Sequence, residues 1–181
     1  AENTEESCVV SGPTADIESL RKELESKEIF CRQLRTSHGF HSMMMEPMLE
    51  DFVKGFRGVK LKAPKIKFIS NVTGDWIKKE EATDPNYWVR HVRETVRFST
   101  GLKQLVTNEN SILLEIGPGQ VLYSFAVQHI LGTKVRVQTS LPTIKDKISS
   151  DLYFYSLLGK LWADGNNYEL IDLYKTERRN K

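Results

Sequence analysis

The sequence predicts an α/β fold. Stretches with apolar residues three and four positions apart recur along the chain, and short runs rich in Val and Ile lie between them, bounded by Gly, Pro or Asn. Hydrophobic residues make up 39% of the 181, enough to build a core, and the 28% that are charged suit a water-facing surface.

In chain order, the acidic lead-in 1–7 precedes a strand at Cys8-Val9-Val10, which closes in Ser11-Gly12-Pro13. Thr14 is placed to cap a helix whose inward stripe is Ile17, Leu20 and Leu24. Residues 29–36 read as a second strand. From Met45 through Met48, Leu49, Phe52, Val53 and Phe56 the spacing predicts a helix whose methionines fill core space. Residues 66–72 read as a strand ending at the turn Thr73-Gly74-Asp75. Asp84-Pro85 starts a helix, with Trp88 and Val92 facing inward. A further helix carries Phe98, Leu102, Leu105 and Val106. Residues 112–116 form a buried-type strand, and Gly117-Pro118-Gly119 turns it into a helix with Val121, Leu122, Phe125, Ala126 and Ile130. Residues 134–139 alternate as a half-exposed strand does. A last helix over 149–164 presents Leu152, Tyr155, Leu158 and Trp162. The basic tail Arg178-Arg179-Asn180-Lys181 reads as a solvated terminus.

Composition narrows the function classes. With 26 Lys and Arg against 24 Asp and Glu, a net charge of +2 argues against a dedicated nucleic-acid binder. No apolar run is long enough to cross a bilayer and the first residues do not form a signal peptide, so the expectation is a cytoplasmic protein without membrane contact. Cys8 and Cys31 are too few for a disulfide scaffold and read as small apolar thiols.

The densest chemical signal is His38-Gly39-Phe40-His41, which holds two of the four histidines on a loop between a strand and a helix. Spacing alone leaves open whether these are functional imidazoles or ordinary loop histidines. A metal site is not expected, because no further His, Cys or Asp cluster supplies third and fourth ligands. A histidine base needs a nucleophile, yet the chain has no Gly-x-Ser-x-Gly elbow, and Ser42 is explained as a helix cap. Gly117-Pro118-Gly119 lacks the remaining residues of a phosphate-binding loop and reads as a tight turn.

Several motifs, in order, resemble one family. They are Cys8-Val9-Val10-Ser11-Gly12, Ser37-His38-Gly39-Phe40-His41-Ser42 through Met45-Glu46-Pro47-Met48, Ser70-Asn71-Val72-Thr73-Gly74, Asp84-Pro85-Asn86-Tyr87-Trp88 and Glu115-Ile116-Gly117-Pro118-Gly119. They are similar to the acyltransferase domains of type I polyketide synthases, akin to malonyl-CoA:acyl-carrier-protein transacylases. Leu158-Gly159-Lys160-Leu161-Trp162-Ala163-Asp164-Gly165, with Leu173-Tyr174, resembles the linker that follows such a domain.

The resemblance implies an α/β-hydrolase-like large subdomain carrying a ferredoxin-like small one. Residues 1–36 would be the second half of the small subdomain, 37–133 the carboxy-terminal part of the large one, and 134–181 the linker. It further implies transfer of a malonyl-type unit from malonyl-CoA to the phosphopantetheine thiol of an acyl carrier protein. His41 would be the general base, and the backbone carbonyl of His91 would orient it. His38, Gly39 and Phe40 match the family's specificity positions; Phe40 fills the space an α-methyl branch needs, and Gly39 replaces the usual alanine. The expected partners are the carrier protein and the remaining acyltransferase and ketosynthase regions of the same synthase. The family's serine nucleophile has no counterpart here, so the chain alone is expected to be inactive, with no cofactor bound by it. Two other readings stay open: a non-catalytic carrier-protein docking module, and a stand-alone hydrolase.

Overall fold

The computed structural model describes residues 1–167, so Leu173-Tyr174 and the basic tail lie outside the described residues. Strands β1 (Ile112–Glu115) and β2 (Arg136–Thr139) pair in parallel, Ile112 opposite Arg136 and Glu115 opposite Thr139. Parallel neighbours need a crossover, and α6 (Val121–His129) provides it. The turn into α6 needs glycine, since Gly117 and Gly119 have φ of 143° and 96°. The first amides of α6 do not await a phosphate: Leu122 N–H and Tyr123 N–H donate to the Glu115 carboxylate at 3.2 and 2.8 Å.

Helix α1 (Thr14–Ser26) starts one position earlier than expected. Pro13 takes the cap position and Thr14 is the first helical residue, without a side-chain cap. Ser42 caps a 3-10 turn at Met43–Met45, accepting from Met44 N–H at 3.2 Å, and this turn leads into α2 (Glu46–Lys54). Helix α3 (Lys79–Ala82) is a single turn before α4 (Pro85–Arg93). Asp84 caps α4 by accepting from Asn86 N–H at 2.9 Å. Helix α4 packs on α2 and α3, and α5 (Phe98–Leu105) packs on α6, with Phe98 and Phe125 edge to face at 6.0 Å.

Three expected strands are absent. Cys8 makes one antiparallel bridge to Glu2, residues 29–36 have no regular structure, and 66–72 contribute a single bridge between Ile69 and Trp76. A strand persists only where a neighbour satisfies its backbone, and among the described residues no second strand lies beside these segments; Phe30 is 87% exposed. The core is correspondingly small, with Met45, Val72, Ala82, Tyr87, Leu102, Ala126, Val135 and Leu157 as its buried apolar residues. Met45 fills core space as expected, whereas Met48 is exposed.

Helix α7 (Ser150–Ala163), capped by Ser149, has the expected length but a rotated face. Leu157 is buried, Tyr153 OH meets Thr139 Oγ1 at 2.5 Å, and Asp164 just past the helix pairs with Arg136. Leu152, Tyr155 and Trp162 are exposed instead. Because the helix is apolar nearly all round, periodicity could not set its phase.

Candidate active site

His41 stands between the end of α4 and the turn before α2, with its backbone at φ 59°, a left-handed conformation that side chains other than glycine rarely adopt. Two bonds hold it there. Its N–H donates to the Val92 carbonyl at 3.3 Å, and its Nδ1 lies 3.0 Å from the Glu94 carbonyl oxygen. A carbonyl can only accept, so Nδ1 carries the proton and Nε2 of the neutral ring is free to take one. The orienting carbonyl is therefore that of Glu94, a correction to the expectation of His91. Helix α4 stops at Arg93, the chain becomes extended at Glu94, and this turns the Glu94 carbonyl out of the helical ladder toward His41.

A groove of about 280 Å³ runs past His41, lined by Ser11, Gly12, Pro13, Ser42, Met43, Met44 and Arg93. Arg93 Nε donates to Glu46 Oε1 at 2.9 Å and ties the end of α4 to the start of α2. In the sequence, Val92 reads only as an inward-facing helix residue and no role falls to Arg93 or Glu94; the available signal was that a helix starting at Asp84 runs out near them.

His38 and Phe40 are exposed, their rings 5.8 Å apart, and His38 Nδ1 lies 2.9 Å from Ser37 Oγ. At Gly39, a Cβ would stand 2.8 Å from Met44 Sδ and 3.2 Å from Ser42 Oγ. The sulfur occupies the space alanine would use, and the Gly39 carbonyl accepts the Ser42 hydroxyl at 2.6 Å. Met44 is 49% exposed, so its thioether can move aside for a methyl group at position 39.

The His91 side chain is half-buried, with Asn71 Nδ2 at 3.4 Å from its Nε2 and the His41 ring at 6.1 Å. Burial, and then the nearby His41, push its pKa below that of an ordinary histidine.

One other serine and histidine meet with the geometry of a nucleophile and a base. Ser99 Oγ lies 2.9 Å from His129 Nε2, whose Nδ1 is 2.9 Å from the Phe125 carbonyl. Ser99 is only 8% exposed and borders neither the His41 groove nor the larger hollow, of about 350 Å³, between β2 and α7. The pair joins α5 to α6 rather than facing a substrate. That larger hollow is lined by residues including Gln138, Thr139, Tyr153 and Lys160, and shares no residue with the His41 groove.

Residues 1–165 match the family model described as the acyl transferase domain. The chain belongs to that family. The acyl transferase chain is 32% identical over 167 residues to a phenolphthiocerol/phthiocerol polyketide synthase of Mycobacterium tuberculosis, covering 91% of itself and 11% of that protein. It is 33% identical over 165 residues to polyketide synthase GfsA of Streptomyces halstedii, covering 91% of itself and 2% of that protein. Among solved structures, the acyl transferase domain of SpnD in complex with 2-(pent-4-yn-1-yl)malonyl superposes with a TM-score of 0.81 at 35% identity, over 85% of this chain and 38% of that one. The acyl transferase domain of ZmaA gives 0.82 at 30%, over 94% and 39%. These neighbours share the α/β mixture. The acyl transferase chain thus spans a small part of its curated relatives and under half of these solved domains. Among the described residues, no helix is long and apolar enough to cross a membrane.

Proposed function

We propose that this chain is the part of a polyketide synthase acyltransferase that supplies the general base for transfer of a malonyl-type unit from CoA to the phosphopantetheine thiol of an acyl carrier protein. The observation that carries this reading is the His41 imidazole, held through Nδ1 by the Glu94 carbonyl with Nε2 free, beside an open groove. The SpnD domain, solved with a substituted malonyl group, supports the extender class.

A serine outside these 181 residues gives its proton to His41 Nε2 as its oxygen attacks the thioester carbonyl. The imidazolium then protonates the departing CoA thiolate, leaving an acyl-serine. In the second half-reaction His41 takes the proton of the pantetheine thiol, whose sulfur attacks the acyl-serine, and returns it to the serine oxygen. A neutral carbonyl partner fixes the tautomer for both steps without a third acid. Phe40 immediately precedes His41 and His38 lies three positions before it, and on this reading they set the bulk tolerated at the α-carbon. Residues 1–36 belong on this reading to a ferredoxin-like small subdomain, 37–133 to the α/β-hydrolase-like large subdomain and 134–181 to the following linker. The remaining acyltransferase and ketosynthase regions are the neighbours within the synthase.

Incubated with malonyl-CoA, the 181-residue chain should show no stable acyl adduct by intact mass. A longer acyltransferase containing it should acylate, and His41→Ala should slow acylation and transfer by about 10²–10⁴-fold. A malonyl-serine adduct on the short chain, or an unimpaired His41→Ala enzyme, would overturn the reading.

A further inference from the structure

His41 is held at its backbone N–H and at Nδ1; only the second bond reaches the ring, in its own plane, and the ring faces are left to packing. The His91 ring stands beside that of His41, roughly perpendicular, at 6.1 Å between centroids and 75° between planes. His91 in turn rests against Trp88 at 6.1 Å and Tyr87 at 6.4 Å. Tyr87 is 1% exposed and donates through its hydroxyl to Ser70 Oγ at 2.7 Å, and Ser70 is fully buried. The next residue, Asn71, is pinned by its carbonyl to Arg97 N–H at 2.8 Å and points its amide nitrogen at His91 Nε2. An unbroken series of contacts therefore runs from the buried Ser70–Tyr87 pair through Asn71 and His91 to His41.

We propose that His91 is a positioning residue for His41: its ring, oriented by Asn71 and seated on Tyr87 and Trp88, is the wall that keeps the His41 imidazole in its single productive orientation. The proposal rests on the reading of His41 as the base. It differs from the sequence expectation for His91, which gave a role to its backbone carbonyl alone. A wall next to a base that becomes cationic serves best uncharged, because a second imidazolium at this distance would oppose the first. The surroundings favour that state. Asn71 donates into Nε2, so the His91 proton sits on Nδ1, and the two arginines of the same helix are paired with carboxylates, while Glu81 accepts from a backbone amide. Arg90 lies 3.9 Å from Glu94, Arg93 is bonded to Glu46, and Glu81 accepts from Lys78 N–H. His41 is the titratable group that acts on His91.

The test is nitrogen-15 NMR of the imidazoles in this 181-residue chain. In the wild type, His41 should show one Nδ1–H tautomer with a slowly exchanging proton. His91→Ala should speed exchange of that proton with water at least about tenfold and mix the tautomers, and His91→Gln, which restores bulk and a partner for Asn71, should recover most of the protection. Unchanged His41 tautomer and exchange in His91→Ala overturn the proposal. If His91→Ala does not fold, Asn71→Ala and His91→Phe decide: Asn71→Ala should loosen both rings while His91→Phe leaves His41 protected, and no effect of Asn71→Ala overturns the proposal. Kinetics on the longer acyltransferase separate the two readings. His91→Ala should lower kcat about tenfold with KM unmoved, whereas loss of any dependence on His41 would end the functional reading and leave the NMR result standing.

Discussion

Removing the Ser70 hydroxyl should cost more than removing the phenol that bonds to it. Both partners are buried, Ser70 at 0% and Tyr87 at 1% exposure, and their oxygens lie 2.7 Å apart. Burial raises the Tyr87 pKa above the usual phenol value, so the group remains a neutral donor. Ser70 Oγ also accepts from the amides of Val72 and Thr73, each at 3.2 Å. Tyr87→Phe therefore deletes one hydrogen bond and leaves the serine oxygen with two donors, a net loss of about 0.5–1.5 kcal/mol. Ser70→Ala strands the Tyr87 hydroxyl and the buried Val72 amide, at about 1–3 kcal/mol for each group, so about 2–6 kcal/mol is expected. The double variant should cost less than the sum, because no hydroxyl is then left without a partner. Urea unfolding of the 181-residue chain measures all three as shifts in midpoint at constant slope. Tyr87→Phe as damaging as Ser70→Ala, or strict additivity in the double variant, would refute the reasoning.

Three further outcomes are expected. In a complete acyltransferase, Phe40→Ser with His38→Tyr should shift the ratio of specificity constants toward methylmalonyl-CoA by about 10- to 200-fold, read by competition between the two thioesters; an unmoved ratio removes the steric argument. Gly74→Ala should destabilise by about 1–3 kcal/mol, since φ is +72° and the new Cβ would lie 2.6 Å from the Thr100 side chain, and calorimetry would show it as a lower Tm. The depressed His91 pKa also carries a pH signature. Below the unfolded-state pKa of about 6.5 the unfolded chain binds a proton that folded His91 refuses, so the His91 contribution is complete above that pH and lost as pH falls toward the folded pKa. His91→Gln should flatten stability over that acidic window, and an unchanged slope would count against the burial of this ring.

What the sequence determined by itself is what a few neighbouring residues decide between them. Ser42, Asp84 and Ser149 cap their helices because each hydroxyl or carboxylate reaches an amide two or three positions on. Gly117 and Gly119 make a turn that residues with a Cβ would resist, and apolar spacing located α2, α4, α5, α6 and α7 along the chain. The motifs that resemble the acyltransferase family, the one around His41 among them, were legible because each is concentrated in adjacent positions. Tertiary structure decided whatever depends on a partner far along the chain. Residues 8–10, 29–36 and 66–72 have strand composition, but a ladder needs a second strand and none is beside them among the described residues. Helix α7 has apolar residues on every side, so contact with β2, and not period, chose Tyr153 and Leu157 as its inward face. The carbonyl that orients His41 lies 53 positions away, and an error of three residues in its assignment, His91 for Glu94, is less than one helical turn. Which carbonyl leaves the helical ladder depends on where α4 ends against its neighbours, and no local pattern of side chains encodes that.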